Sequence, residues 1–456
     1  MNIVGKKIVV VGAGRSGLAV CRYAVMHGAQ VVLSDSRTEQ DLRTSGTALD
    51  DIVELVTLDL GGHSEAYFTG ADLIVISPGV KLTIAALAAA RRVGVPVIGE
   101  IELAARLLRC PIMAITGTNG KSTTTELLGA MLRRCGKRVF VGGNLGTPLI
   151  TCADAEIDYA VVELSSFQLE SVAQFKPKYA AMLNISLDHL DRYPSMESYV
   201  LAKGAIFAQQ NGQDVAIVNA DDPEAMRLAD GGLAQQVLFS SARRLEKGIS
   251  CHDGIIHWRG YGESLDFDTS KLRLKGGHNI ENVMAALVPI LLEGLDADLA
   301  WQAACDFCGL AHRMAFVRSL NGVAWYNDSK GTNPGSVLKS VASLAPSNSA
   351  AQLTLIAGGK DKGGDYRDMR ECLGGRVGQF ILLGQAAEPM QQAWADLAPI
   401  HKAATMEQAV QLAYELTPAG GTVLLSPGCS SFDMFRSFEH RGDLFTAAVL
   451  ALAPGE

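Results

Sequence analysis

The chain has 456 residues, and 48% of them are hydrophobic. With a mean hydropathy of +0.16 this excludes disorder, since disordered chains lack the apolar side chains that build a core, and the length suits about three domains. A net charge of −8 and a pI near 5.7 offer no positive field to nucleic acid, and no uninterrupted apolar run approaches the ~18 residues that span a bilayer.

A cytoplasmic protein is therefore expected, with no nucleic-acid partner and no membrane insertion. The start, MNIVGKKIVVVGAG, sets lysines before a short apolar run. That run ends in a glycine loop, so a first strand explains it better than a secretory signal. Nine scattered cysteines, an odd number, suit reduced thiols. Cys305 and Cys308 form the one CxxC, in AACDFCGL. They read as two small core-facing residues one helical turn apart rather than as part of a metal site.

In chain order, KIVVVGAG opens a first block. Its tail, Gly12-Ala-Gly14-Arg-Ser-Gly17, satisfies G-x-G-x-x-G between a strand and a helix, and Asp35 ends the next strand, QVVLSD. On local grounds this is the dinucleotide fingerprint, with Asp35 on a ribose hydroxyl. DLIVISPG follows, and the block closes near Gly99, after VPVIGE.

PIMAITG opens a second block and leads into Gly117-Thr118-Asn119-Gly120-Lys121-Ser122-Thr123, with the helix STTTELLGAMLRRC beyond. Glycines let consecutive N–H groups close on phosphate oxygens, and the following helix turns its positive end to the same anion. Lys121 can neutralise terminal phosphate charge, while the Ser122 or Thr123 hydroxyl can ligate Mg²⁺. The loop is two residues shorter than the usual phosphate pattern, which argues against ordinary kinases and GTPases. A plain glycine turn before a helix is the competing reading.

The strands RVFVGG, YAVVELSS, YAAMLNIS and VAIVNADD continue this block. Residues 240–275 read as irregular or β-rich, and a long helical region, NVMAALVPILLEGLDADLAWQAACDF, ends it near Leu310. LTLIAGG, QFILLG and TVLLSPG make a third block. Strands that alternate with helices predict an α/β fold of parallel sheets covered on both faces. Three domains are expected, over 1–99, 100–309 and 310–456: Rossmann-like, ATPase-like with a phosphate loop, and Rossmann-like again.

TGTNGKST resembles the ATP loop of the Mur ligases, the amide-forming enzymes of bacterial cell-wall synthesis. VELSSFQLE, LNISLDHLDRYP, GGHNIENVMAA, GLAHR, NDSKGTNPGS and LSPGCSSFDMFRSFEHRG extend the resemblance in order over nearly the whole chain. The last two blocks are most similar to the family members that add D-glutamate. The resemblance implies that ATP phosphorylates the alanine carboxylate of UDP-N-acetylmuramoyl-L-alanine. The amine of D-glutamate then attacks the acyl phosphate, and ADP and phosphate are released. It implies ATP and two Mg²⁺ ions as cofactors, with Mn²⁺ an acceptable substitute, and a monomer.

The resemblance also implies site residues. Gly117 to Thr123, Asn279, Asn282, Arg313 and Asp328 match ATP contacts, with Lys121 catalytic. In the first block the same glycine geometry would hold the diphosphate of a UDP-sugar instead of NAD. Gly14, Asp35, Ser36, Arg37 and Gly79 then become UDP-substrate contacts, joined by Asn144 and Ser165. Glu163 with Ser122 matches the ATP metal site, and His189 a second metal. Lys203 matches the family lysine that CO₂ converts to a carbamate, an anionic oxygen ligand for that second ion. Lys330, Thr332, Lys362, Ser430, Ser431 and Phe438 match the D-glutamate pocket, where cations and hydroxyls suit two carboxylates.

From the residues alone, each has a plainer reading. Arg37 and Lys203 read as solvated cations, Glu163 as a helix N-terminal charge, His189 as a loop histidine and Asn279 as a helix cap. Lys362 reads as a loop lysine that Lys360 rivals. Gly331, Pro334 and Ala315 depart from the family pattern. Three other functions compete: another ATP-dependent amino-acid ligase such as a folylpolyglutamate synthase, an NAD-dependent oxidoreductase, and a non-catalytic UDP-sugar-binding module.

Overall fold

A computed structural model describes the chain except residues 45, 46, 48, 145, 187–192, 275, 345–351, 362–364 and 454–456. Two compact units are present, Met1–Phe307 and Cys308–Glu456. The first holds two sheets and the second holds one.

The first sheet contains β1 (Lys7–Val11), β2 (Gln30–Asp35), β3 (Thr57–Leu60), β4 (Leu73–Ile76) and β5 (Val97–Gly99), in the order β3-β2-β1-β4-β5. All its pairings are parallel. Strand order reverses between β1 and β4, so a crevice opens there beyond the carboxyl ends, where ligands collect in such sheets.

The second sheet contains β6 (Ile112–Thr116), β7 (Val139–Gly143), β8 (Tyr159–Glu163), β9 (Tyr179–Met182), β10 (Val215–Asn219), β11 (Gln235–Ser240), β12 (Gly248–His252), β13 (Ile255–Arg259) and β14 (Leu265–Asp268). Their order is β14-β13-β12-β11-β10-β9-β6-β8-β7. β6, fully buried, lies between β8 and β9, so the chain leaves it in both directions.

The parallel sheets expected are present, and residues 240–275, read as irregular or β-rich, extend this one. Residues 240–275 add a strand parallel to β11 and then two antiparallel strands at the edge. The turn between β12 and β13 is Asp253-Gly254, with φ of 54° and 77°. Two positive φ values in a two-residue loop match the twist of a hairpin.

In the second unit the strands are β15 (Ala315–Leu320), β16 (Val323–Asn327), β17 (Leu353–Gly358), β18 (Val377–Leu383), β19 (Ile400–Lys402) and β20 (Thr422–Leu425). Their order is β15-β16-β20-β17-β18-β19. Only β15 is antiparallel, turning into β16 through Asn321-Gly322.

One core runs through both sheets of the first unit, from Ile8, Val10 and Leu33 to Ala114, Ala160 and Val162. The helix Glu100–Leu107 joins them. Glu102 is fully buried; its carboxylate accepts Ala173 N–H at 2.8 Å, Gln174 N–H at 3.0 Å and Arg106 Nε at 2.6 Å. Glu100 accepts Ile150 N–H at 2.8 Å, and burial raises its pKa to about 7.

The pairing of Cys305 and Cys308 on one helix face is also corrected. The helix Ala297–Asp306 ends before Cys308, which is exposed, whereas Cys305 is half-buried. Among the described residues, no helix is long and apolar enough to cross a membrane.

Candidate active site

Three glycines shape the loop after β1. Gly12 turns it with φ of 96°. Gly17 packs its helix onto the strand, because a Cβ there would strike the Gly12 carbonyl. Gly14 would meet nothing within 4 Å, and nor would Gly79 in the loop after β4. Both glycines are exposed. Ser77 Oγ donates to the Gly12 carbonyl at 2.9 Å and ties the two loops together.

Asp35, nearly buried, ends β2 beside them. Its carboxylate accepts Ala13 N–H at 2.7 Å, Arg37 N–H at 2.9 Å, Arg37 Nε at 3.0 Å and Arg37 Nη2 at 2.8 Å. Burial raises its pKa, but the Arg37 side chain first, then the two N–H donors, draw it down to about 2. A carboxylate has about four acceptor positions, and these four bonds fill them. Arg37 is therefore ion-paired rather than merely solvated, while Ser36 is exposed next to it. Across the same edge, Arg15 Nη1 donates to the Gly146 carbonyl at 2.8 Å, in the loop that carries Asn144.

The second cradle lies between β6 and the helix Lys121–Arg134. Gly120 caps that helix with φ of 85°, a conformation that costs other L-residues energy. Lys121 Nζ folds back on the carbonyls of Gly117 and Thr118, at 2.8 Å each. Ser122 and Thr123, buried, start the helix. Thr118 N–H donates to the Asn184 carbonyl at 2.8 Å, Asn119 N–H donates to Asn184 Oδ1 at 2.8 Å, and the Thr118 hydroxyl meets Tyr199 Oη at 3.0 Å.

Lys203 is 2% exposed, which corrects its reading as a solvated helix lysine. Its Nζ donates to the Gly117 carbonyl at 2.9 Å and sits 4.9 Å from the Tyr199 ring centroid. Glu163 ends β8 opposite Ile115 of β6, and it too is 2% exposed. Asn144 Nδ2 donates to its Oε1 at 2.7 Å. Its Oε2 is buried with no hydrogen-bond partner among the described residues. An unpaired carboxylate oxygen in a dry site is costly, and hard divalent cations favour such oxygens. These residues therefore fit Mg²⁺. His189 lies outside the described residues.

Asn279 and Asn282 share a helix face, with Asn282 Nδ2 donating to Asn279 Oδ1 at 3.2 Å. Asn279 is no cap, since Gly276 holds that position. Asn282 is buried and accepts the Thr124 hydroxyl at 3.1 Å. A Cβ on Gly120 would strike its Oδ1, so the amide is packed under the phosphate loop. Ser165 caps the helix Ser166–Leu169 in a capping box with Gln168, so its hydroxyl already has a structural job.

In the second unit, Asp328 follows β16 and is buried. Its carboxylate accepts Ser340 Oγ at 2.8 Å, Ser426 Oγ at 2.7 Å and Met314 N–H at 3.3 Å. Burial pushes its pKa up to about 6 against those bonds and the nearby Arg313 charge. Gly331 allows the close approach: a Cβ there would lie 2.6 Å from Asp328 Oδ2 and 2.7 Å from Ser426 Oγ. Ala315 begins β15 opposite Asn327.

Lys330 Nζ sits 5.4 Å from the Phe438 ring centroid. Thr332 N–H donates to the Lys330 carbonyl, and Lys360 N–H donates to the Ser430 carbonyl at 2.9 Å. Ser431 is buried, and Lys362 lies outside the described residues. Sequence reasoning missed Arg441. It is fully buried and links Ser329 Oγ at 2.9 Å to the Cys429 carbonyl at 3.2 Å, tying the two pocket loops. Asn184 and Tyr199 were missed as well, although Asn184 lies inside the block LNIS.

A phosphate-type loop at the switch point of a parallel sheet, with two buried cationic and acidic neighbours, defines a nucleotide-binding α/β protein. Three family models match along the chain: "Mur ligase MurD-like, N-terminal domain" over 6–99, "Mur ligase middle domain" over 115–289, and "Mur ligase, glutamate ligase domain" over 312–429. The UDP-N-acetylmuramoylalanine–D-glutamate ligase of Syntrophotalea carbinolica is 52% identical over 453 residues, 98% of each chain. The like-named protein of Geotalea daltonii is 48% identical over 458 residues, 100% of each. The chain belongs to the Mur ligase family.

Solved structures share its fold. UDP-N-acetylmuramate-alanine ligase MurC from Thermotoga maritima has a TM-score of 0.58 at 19% identity, covering 98% of this chain and 99% of that one. MurF from Acinetobacter baumannii has 0.60 at 18%, covering 98% and 94%.

Proposed function

We propose that this chain is the ATP-dependent ligase that joins D-glutamate to UDP-N-acetylmuramoyl-L-alanine and releases ADP and phosphate in peptidoglycan precursor synthesis. Two relatives that bear that activity in their names, each aligned over almost the whole chain, support the reading. The observation that carries the chemistry is local: Lys121 and Lys203 both donate to the Gly117 carbonyl, at the edge where Glu163 ends β8.

Residues 1–99 bind the UDP handle, with Gly14 and Gly79 exposing backbone to the diphosphate and Asp35 fixing the Arg37 guanidinium that faces it. Ser36, Asn144 and Ser165 complete that set. Residues 100–309 bind ATP, with the N–H groups of Gly117 to Thr123 cradling phosphate and Lys121 swinging from its resting carbonyls to the transferred group. Asn279 and Asn282 serve the nucleotide, Asn282 by bracing the loop. Residues 310–456 bind D-glutamate through Lys330, Thr332, Lys362, Ser430, Ser431 and Phe438. The protein acts as a cytoplasmic monomer.

Amide formation needs the alanine carboxylate converted to an acyl phosphate, because a carboxylate oxygen leaves poorly. Ser122 and Glu163 would hold one Mg²⁺ or Mn²⁺, and His189 with a carbamate on Lys203 a second, supplying charge neutralisation where oxygens crowd. The chain's own part is orientation and water exclusion. Lys121 neutralises the phosphoryl oxygens, and the free amine of D-glutamate attacks the acyl carbon while phosphate leaves with the bonding pair, the surplus amine proton ending on the released phosphate.

Phosphate release from ATP should require UDP-N-acetylmuramoyl-L-alanine and D-glutamate together. Turnover with L-glutamate or a diamino acid, and none with D-glutamate, would refute the assignment.

A further inference from the structure

At the carboxyl edge of the first sheet, the loop after β3 carries Gly61, Gly62 and His63. Its backbone is tied to the end of β2: Gly61 N–H donates to the Arg37 carbonyl at 2.9 Å and Gly62 N–H to that of Asp35 at 3.4 Å. His63 is half-buried, edge-on to Phe68, and its Nδ1 lies 2.8 Å from Ser34 Oγ. Ser34 is fully buried and donates to Asp59 Oδ2 at 2.8 Å.

The direction of these bonds fixes the imidazole. Burial raises the pKa of Asp59, but the Ser64 bonds, then the Ser34 bond, hold it below the ordinary carboxylate range. Asp59 is therefore an anion that only accepts. The single Ser34 hydroxyl proton goes to it, so Ser34 Oγ must receive its bond from Nδ1–H. In the tautomer that this bond selects, the lone pair is on Nε2, which has no hydrogen-bond partner among the described residues.

A uridine presents donors, the imide N–H and the ribose hydroxyls. The glycine fingerprint assigns a ribose donor to the acid ending β2, yet Arg37 and Ala13 N–H fill Asp35. We propose that His63 Nε2 is the acceptor that recognises the uridine of the UDP handle, a specificity-determining contact held by the Asp59–Ser34 relay. It rests on the reading of the first sheet as the UDP-binding one.

The test is calorimetric titration of the full chain with UDP, 2′-deoxy-UDP and N3-methyl-UDP. His63→Leu keeps bulk without an acceptor and should weaken UDP roughly three- to tenfold, the worth of about one hydrogen bond. His63→Gln, which restores an acceptor, should recover most of that loss, and both variants should bind ATP like the wild type. One analogue should bind the wild type more weakly than UDP, naming sugar or base as the donor, and that difference should vanish in His63→Leu. UDP binding unchanged in His63→Leu, or both analogues equal to UDP on the wild type, would overturn the contact alone. A wild type that binds ATP but not UDP would overturn the reading of the sheet and the contact with it.

Discussion

Lys121 and Lys203 donate to one carbonyl oxygen, that of Gly117, at 2.8 Å and 2.9 Å. Two ammonium groups on one acceptor repel each other, strongly so where water is scarce. An incoming phosphate relieves that repulsion from one side. Carbamylation of Lys203 would relieve it from the other, turning a cation into an anion.

Lys203→Ala should therefore lose about 100-fold or more in turnover, the scale of a lost charge-stabilising group. Added acetate or formate should restore part of it by lending an oxygen ligand. If short carboxylates restore no more than chloride does, the carbamate is excluded.

Glu163→Gln should abolish the Mg²⁺ dependence of nucleotide binding without harming the fold, because the buried Oε2 has no partner to lose. Saturating Mg²⁺–ATP should stabilise the wild type by about 2.7 kcal/mol at a hundred times Kd. The variant should show an unchanged or higher melting temperature alone and little gain on adding Mg²⁺–ATP. A full thermal shift in the variant would remove Glu163 from the metal site.

Gly331→Ala would push a methyl to 2.6 Å from Asp328 Oδ2. The expected cost is about 1–3 kcal/mol, typical of overpacking, read from urea unfolding. A neutral result would mean that the loop relaxes freely, and that the departure at this position has no packing cause.

Glu100 keeps its proton up to about 7 in the fold, against an ordinary 4.5. Between those values the folded chain binds more protons than the unfolded one, so stability falls as pH rises through this window, and the loss is complete above about 7. Glu100→Gln removes the titration. Its melting temperature should exceed the wild type's by several degrees at pH 8 and match it near pH 4. Parallel curves for the two proteins would assign the raised pKa to the unfolded state as well.

Much of the architecture was legible because β-branched runs ending in Gly, Asp or Asn mark parallel strands, and the phosphate loop carries its own chemistry. Two of the hairpin turns were legible too, yet were overlooked: Asp253-Gly254 and Asn321-Gly322 are the dipeptides that two-residue hairpin loops favour. What sequence could not supply was partnership across distance. Nothing near Lys203 in the chain foretells its burial against Gly117, 86 residues away. Arg37 looks like any surface arginine until Asp35 is seen to spend its acceptors on it. Asn144 and Glu163 end different strands, and only the register of β7 on β8 makes them neighbours.

Both sheets of the first unit share one core, and the helix Glu100–Leu107 between them is pinned by Glu102 to the backbone of Ala173 and Gln174. That makes the unit a ruler. On the proposed function, a donor gripped by its uridine end would deliver its far end at a set reach, so length would select substrate before side-chain chemistry does. A UDP-N-acetylmuramoyl dipeptide should then be held as tightly as the correct donor, yet overshoot Lys121 and release no phosphate; brisk turnover of it would break the ruler.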